Sequence, residues 1–224
     1  MKIKFPAQGR ELLVALLSAD FLFLLLHIAR KFDFVTSFIT VLEESAFSIS
    51  TDLGLAEAYQ YLKYFWIVLL LFWLLYRYRR QFFLPWMLLY LYLLFDDMLR
   101  FHEKGGGLLA RLFGYHPDAE LFFGLRAQDL GELAVSALAG AVIFALLAFF
   151  YLREKQGARV IYRNLFLLLL ALVAFGIGVD MLDRLFDSDV IASLLKTVED
   201  GGEMLVASVS LWYVYTLYLK EKTG

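Results

Sequence analysis

Residues 132–152 read ELAVSALAGAVIFALLAFFYL, a run of 21 positions whose single charge, Glu132, stands at its first residue. Roughly 20 helical residues of this kind cross the ~30 Å hydrocarbon core of a bilayer, so this stretch predicts a transmembrane helix. Working outward, five more stretches have the same character, over about 12–29, 61–79, 82–101, 160–184 and 203–219. The whole chain of 224 residues is 61% apolar and 20% charged, with mean hydropathy +0.67. A soluble domain of this size has too little interior to hide so much apolar surface, and the bilayer must serve as its solvent. Helices are the expected element, because an open sheet would leave backbone groups unsatisfied in lipid. The reading is an all-α polytopic membrane protein: one transmembrane domain over 1–224, with six helices arranged as three hairpins.

The charge balance of 21 Lys and Arg against 23 Asp and Glu argues against a nucleic-acid partner. With no cysteine there is no disulfide, thiolate metal site or cysteine nucleophile. The first run follows Lys2 and Lys4 as a signal peptide would. Asp20 interrupts it, however, and Arg30 and Lys31 follow where small residues would mark a cleavage site, so it is read as a retained span. Tyr76, Tyr78, Trp86, Tyr151, Tyr162, Tyr215 and Tyr218 cluster near span ends, where amphipathic rings sit among headgroups. The three prolines, at 6, 85 and 117, avoid the span centres.

Six spans place both termini on one side. That side holds twelve of the 21 basic residues and only Glu11, Glu154 and Glu221 of the 23 acids. Short Arg-rich loops remain in the cytoplasm, which predicts a multi-pass protein of the cell inner (plasma) membrane with cytoplasmic N- and C-termini. Apart from Asp20, the other acids gather at or near the extracytoplasmic side.

The hairpins suggest an internal repeat. The third span ends in Asp97-Met98-Leu99-Arg100 and the fifth in Asp180-Met181-Leu182-Asp183-Arg184. The fourth then opens on Asp129-Leu130-Gly131-Glu132 and the sixth on Asp200-Gly201-Gly202-Glu203. Asp52-Leu53-Gly54 with Glu57 reads as a degraded third copy ahead of the second span. Chance matching in a biased composition is the competing explanation.

The blocks Asp96-Asp97…Arg100-Phe101-His102-Glu103, Arg126-Ala127-Gln128-Asp129-Leu130-Gly131-Glu132 and Glu199-Asp200-Gly201-Gly202-Glu203-Met204 resemble an uncharacterised family of bacterial multi-spanning membrane proteins. Asp52–Lys63 resembles the same family, so the likeness covers most of the chain. It implies several spans and a shared site, and supplies no chemistry. The histidine spacings of familiar membrane metalloenzymes are missing.

Asp129, Glu132, Glu199, Asp200 and Glu203 are expected at helix N-termini, where carboxylates cap free N–H groups and suit the helix dipole. Asp96, Asp97, Asp180 and Asp183 are expected at helix C-terminal ends, where the dipole opposes them. Arg100 and Arg184 can offset Asp96 and Asp180 as i,i+4 pairs, leaving Asp97 and Asp183 without a local counter-charge. The pairs Asp129/Glu132, Asp180/Asp183 and Glu199/Glu203 each share a helix face, which favours a cation between them. His102 and Glu103 lie just beyond the aspartate pair. The candidate metal ligands are therefore Asp97, His102, Glu103, Asp129, Glu132, Asp180, Asp183, Glu199, Asp200 and Glu203. Carboxylates with an imidazole suit Mn, Fe or Zn, and carboxylates alone suit Ca or Mg.

His27 reads as a buried or interfacial hydrogen-bonding residue, and His116 as solvated in a loop, 104–120, whose run Gly105-Gly106-Gly107 marks flexibility. Gly131, Gly201 and Gly202 serve either the site or close helix packing. Asp20, halfway along the first span, must face the bundle interior, be protonated or find a partner. Spans two to six show no ionisable residue near their centres.

Three functions fit this pattern. One is a divalent-cation site supporting metal-dependent hydrolysis at the membrane interface. The second is a cation channel or transporter with an acidic mouth. The third is a structural or accessory subunit, as a homo-oligomer or within a larger membrane complex. The sequence does not decide whether the protein is an enzyme.

Overall fold

A computed structural model describes residues 7–32, 34, 37, 39, 47–51, 54–121, 125–154, 156–183 and 188–223. The described chain is all-α apart from one isolated bridge between Glu120 and Arg126. Its helices are α1 (Ala7–Ala29), α2 (Leu55–Arg77), α3 (Leu84–Leu99), α4 (Phe101–Leu112), α5 (Ala127–Arg153), α6 (Gln156–Val173), α7 (Asp180–Asp183) and α8 (Asp189–Thr223). A 3₁₀ turn, Gln81–Phe83, leads into α3, and a π-helical segment, Ala174–Val179, joins α6 to α7.

Among the described residues, five helical stretches are long and apolar enough to cross a membrane: Gln8–Ala29, Leu55–Arg77, Gln81–Leu99, Ala127–Arg153 and Ala158–Val179. They match the first five expected spans with shifted edges. The stretch expected at 203–219 belongs to α8, which is not among the five. At 35 residues α8 is about 52 Å long at 1.5 Å per residue. Its second half is the most enclosed segment of the chain, packed by α1, α2 and α6. A helix wrapped by other helices need not be apolar on every face, and α8 buries Ser208, Ser210 and Thr216.

The core lies toward the basic side, where Ile67, Leu71 and Leu74 of α2 meet Leu16, Trp86, Leu165 and Val214. The turn between α2 and α3 is fastened there by the Tyr162 hydroxyl, which donates to the Phe82 carbonyl at 3.0 Å. Pro85 sits in the first turn of α3, where its missing N–H costs nothing.

Residues 104–112 are not the flexible loop expected from their glycines; they belong to α4. Arg100 takes the left-handed conformation (φ 54°), ending α3 and starting α4 at once. The glycines let α4 lie against the start of α5: a Cβ on Gly131 would collide with the Gly106 backbone, and one on Gly106 with Glu132. Packing compensates the low helix propensity of three glycines, which local sequence could not foresee. α5 is then exposed along most of its remaining length. It meets α6 through the ring pairs Phe144–Phe166 and Tyr151–Tyr162, with centroids 6.3 and 5.8 Å apart, while the two backbones stand apart.

Candidate functional site

Where α3, α5 and α6 diverge, they enclose a cavity of about 460 Å³. Its long wall is apolar, with Leu89, Leu93, Ile143, Leu147, Leu169 and Leu172. Its other end carries Asp96, Asp97, His102, Asp129, Glu132, Glu199 and Glu203. A second, more polar cavity of about 260 Å³ lies beyond it, lined by Glu57, Gln60, Arg100, Glu103, Lys196 and Asp200 among others. Asp97, His102, Glu199 and Glu203 line both.

Several acids are held in ways the linear pattern hid. Because only Arg100 separates the end of α3 from the start of α4, the Asp96 carboxylate lies at the N-terminus of α4. It accepts the His102 backbone N–H at 2.9 Å and sits 3.0 Å from His102 Nδ1. The dipole of α4 thus favours a charge that α3 alone would oppose. The continuous register that an Asp96–Arg100 pair needs ends at Arg100, which forms an ion pair with Glu103 at 2.6 Å. The carboxylate of Asp96 holds the His102 imidazole above its ordinary pKa, outweighing partial burial.

Asp129 is buried in a capping box. It accepts the Arg126 backbone N–H at 2.8 Å and pairs with the Arg126 guanidinium at 2.7 Å. That pairing raises the Arg126 pKa. Glu132 accepts from the neutral Gln128 amide at 2.8 Å, and Glu203 from Gln60 at 3.4 Å. Asp97 has no hydrogen-bond or ion-pair partner among the described residues.

Glu199, Asp200 and Glu203 do not cap a helix. α8 begins ten residues before Glu199, so the three lie well inside it. Asp-Gly-Gly reads locally as a helix boundary, but Gly201 and Gly202 are there for packing: Gly201 faces Leu24 of α1, and Gly202 faces the Phe175 ring of the π segment. Glu203 is pressed against Gly176 in the same way. The repeat is not reproduced locally. Asp129 opens a helix where Asp200 lies within one, and the Asp97 copy ends a helix while the Asp180 copy follows a π turn. Asp52, Leu53 and Arg184 lie outside the described residues, as do the side chains of Asp180 and Asp183. Among the described residues, no three His, Asp or Glu side chains are grouped to hold a metal ion.

Sequence reasoning missed Lys63. Because α2 starts at Leu55 and not near 61, Lys63 lies more than two turns inside it and is 1% exposed. Its ammonium donates to Asp20 Oδ1 at 2.8 Å, the Met204 carbonyl at 2.8 Å and Ser208 Oγ at 3.0 Å, and stacks on the Tyr59 ring at 4.2 Å. All three of its donors are used, and Asp20 has its counter-charge. A lone lysine in an apolar helix, matched with a lone aspartate in another, was the available signal. His27 is buried where expected, between Ser48 and Thr197, and His116 is exposed.

Five helices long and apolar enough to cross a membrane define the class: a multi-pass membrane protein. The chain belongs to the family of a domain of unknown function, DUF8692, which it matches over residues 11–219. No curated protein and no solved structure matches it.

Proposed function

We propose that this protein captures a cationic ligand in the acid-lined cavity, at the extracytoplasmic end of a six-span bundle whose termini lie in the cytoplasm. α8 is the sixth span in this reading, screened from lipid by its neighbours. The observation that carries the proposal is the placement of Asp97, His102, Glu199 and Glu203 at the junction between a polar vestibule and an intramembrane cavity. His102 sits against Asp96 and Arg126 pairs with Asp129, whereas Asp97 makes no hydrogen bond or ion pair among the described residues, and Glu132 and Glu203 accept from the neutral amides of Gln128 and Gln60. Low-dielectric walls strengthen the attraction between these carboxylates and a cation that enters among them.

The ligand class is a divalent ion (Mn, Fe, Zn or Ca) or an organic ammonium group. A divalent ion would support hydrolysis by polarising an ester or phosphoester at the interface. A through-channel is disfavoured by the packing, because the polar track from Glu203 and Gln60 to Lys63 and Asp20 ends on apolar Leu16, Ile67 and Leu71.

The test is a thermal-shift and calorimetric titration of the detergent-purified protein with each divalent ion and with short alkylammonium salts. A ligand at 100 times its Kd should stabilise the fold by about 2.7 kcal/mol. Asp97→Asn should weaken the response and Leu138→Ala, on the outer face of α5, should not. Absence of a saturable response to every cation would end the proposal.

A further inference from the structure

The acid-lined end accounts for only part of the large cavity; most of its length is hydrocarbon, and it is open at the side. Leu133, Gly140 and Phe144 of α5 line the cavity and are also exposed, as are Val173 of α6 and Ile177 of the π segment. These two sets face each other across the gap between α5 and α6. Toward the basic side the gap is closed by the Phe144–Phe166 and Tyr151–Tyr162 ring pairs. Higher up it is open: a Cβ added at Gly140 would meet nothing within 4 Å. Both helices are long and apolar enough to span a membrane, which would set this opening against lipid. The volume of about 460 Å³ falls in the range of roughly 300–1,000 Å³ typical of small-molecule sites.

We infer that the ligand is a membrane-borne single-chain amphiphile with a cationic head, entering sideways between α5 and α6. The chain lies along Leu89, Leu147 and Leu172, and the head reaches Asp97 and Glu203 at the vestibule. The head-group assignment rests on the cation-binding reading above; the chain and the lateral portal rest on the cavity wall and its exposed lips. An anionic head on the same chain would meet carboxylates it cannot pair with, so the site discriminates by the charge of the head.

The experiment uses the full chain in nanodiscs and a hexadecylamine carrying a photoreactive group on its chain. The fatty acid of equal length, butylamine and the divalent ions serve as comparisons. Gly140→Trp and Val173→Trp plug the portal from opposite lips, and Leu138→Trp places the same ring on the outer face of α5. The amine probe should label α5 and α6 in the wild type and in Leu138→Trp, and both plugging variants should reduce labelling by about tenfold or more. Thermal midpoints near wild type would show that the variants fold, as the open space at Gly140 implies. Equal labelling of all variants would overturn lateral entry. Equal labelling by the fatty acid would overturn the cationic head. Butylamine or a metal ion binding as tightly as hexadecylamine would overturn the chain while leaving the cation site standing, whereas failure of every cation would remove the underlying reading.

Discussion

Lys63 Nζ lies 2.8 Å from Asp20 Oδ1, and both side chains are closed to solvent, at 1% and 0% exposure. An isolated charge at that depth would cost several kcal/mol. Here three acceptors and a tyrosine face surround the ammonium, so the pair joins α1, α2 and α8.

Breaking this pair from one side should be worse than removing it. Lys63→Met or Asp20→Leu alone leaves an uncompensated buried charge and should cost about 3–5 kcal/mol. The double variant should recover most of that loss. Thermal unfolding of the four proteins in detergent measures the coupling, and simple addition of the two losses would refute it.

The His102–Asp96 contact makes stability depend on pH. The folded imidazole has its pKa raised above the unfolded value near 6.5, so the native state binds the extra proton. The contribution is fully present below about pH 6.5 and is lost as pH rises through the folded pKa. Unfolding midpoints measured across this window should fall more steeply for wild type than for His102→Gln. Parallel curves would show that the contact carries no linkage.

Two glycines on one helix should respond in opposite directions. Gly131→Ala forces α4 and α5 apart at Gly106 and should destabilise by about 1–3 kcal/mol. Gly140→Ala meets open space and removes a flexible residue from a helix interior, so it should stabilise by up to about 1 kcal/mol. Denaturation of the two variants side by side decides this, and a loss at both positions would contradict the packing described.

Orientation is testable because the chain has no native cysteine. Arg80→Cys, in the exposed α2–α3 turn, should resist an impermeant thiol reagent in intact cells, and His116→Cys, beyond α4, should react. The reverse pattern would invert the proposed topology.

The five apolar spans were legible because hydropathy is a local property: each helix facing lipid must be apolar over about 20 residues, whatever packs beside it. α8 was less legible for the complementary reason, since a helix enclosed by protein can carry Ser208, Ser210 and Thr216. The acids and His102 were visible as residues, but their roles were not. Asp96 is stabilised by a helix that begins beyond Arg100, and Glu203 lies inside a helix whose glycines imitate a boundary. Lys63 and Asp20 are 43 positions apart, and Gly106 and Gly131 stand on different helices. Sequence by itself determined which segments prefer lipid and where charge is concentrated, because transfer energy is summed residue by residue. Only the tertiary structure decided which charges are compensated and where the bundle is left open, because Coulomb energy and steric exclusion depend on distances between helices.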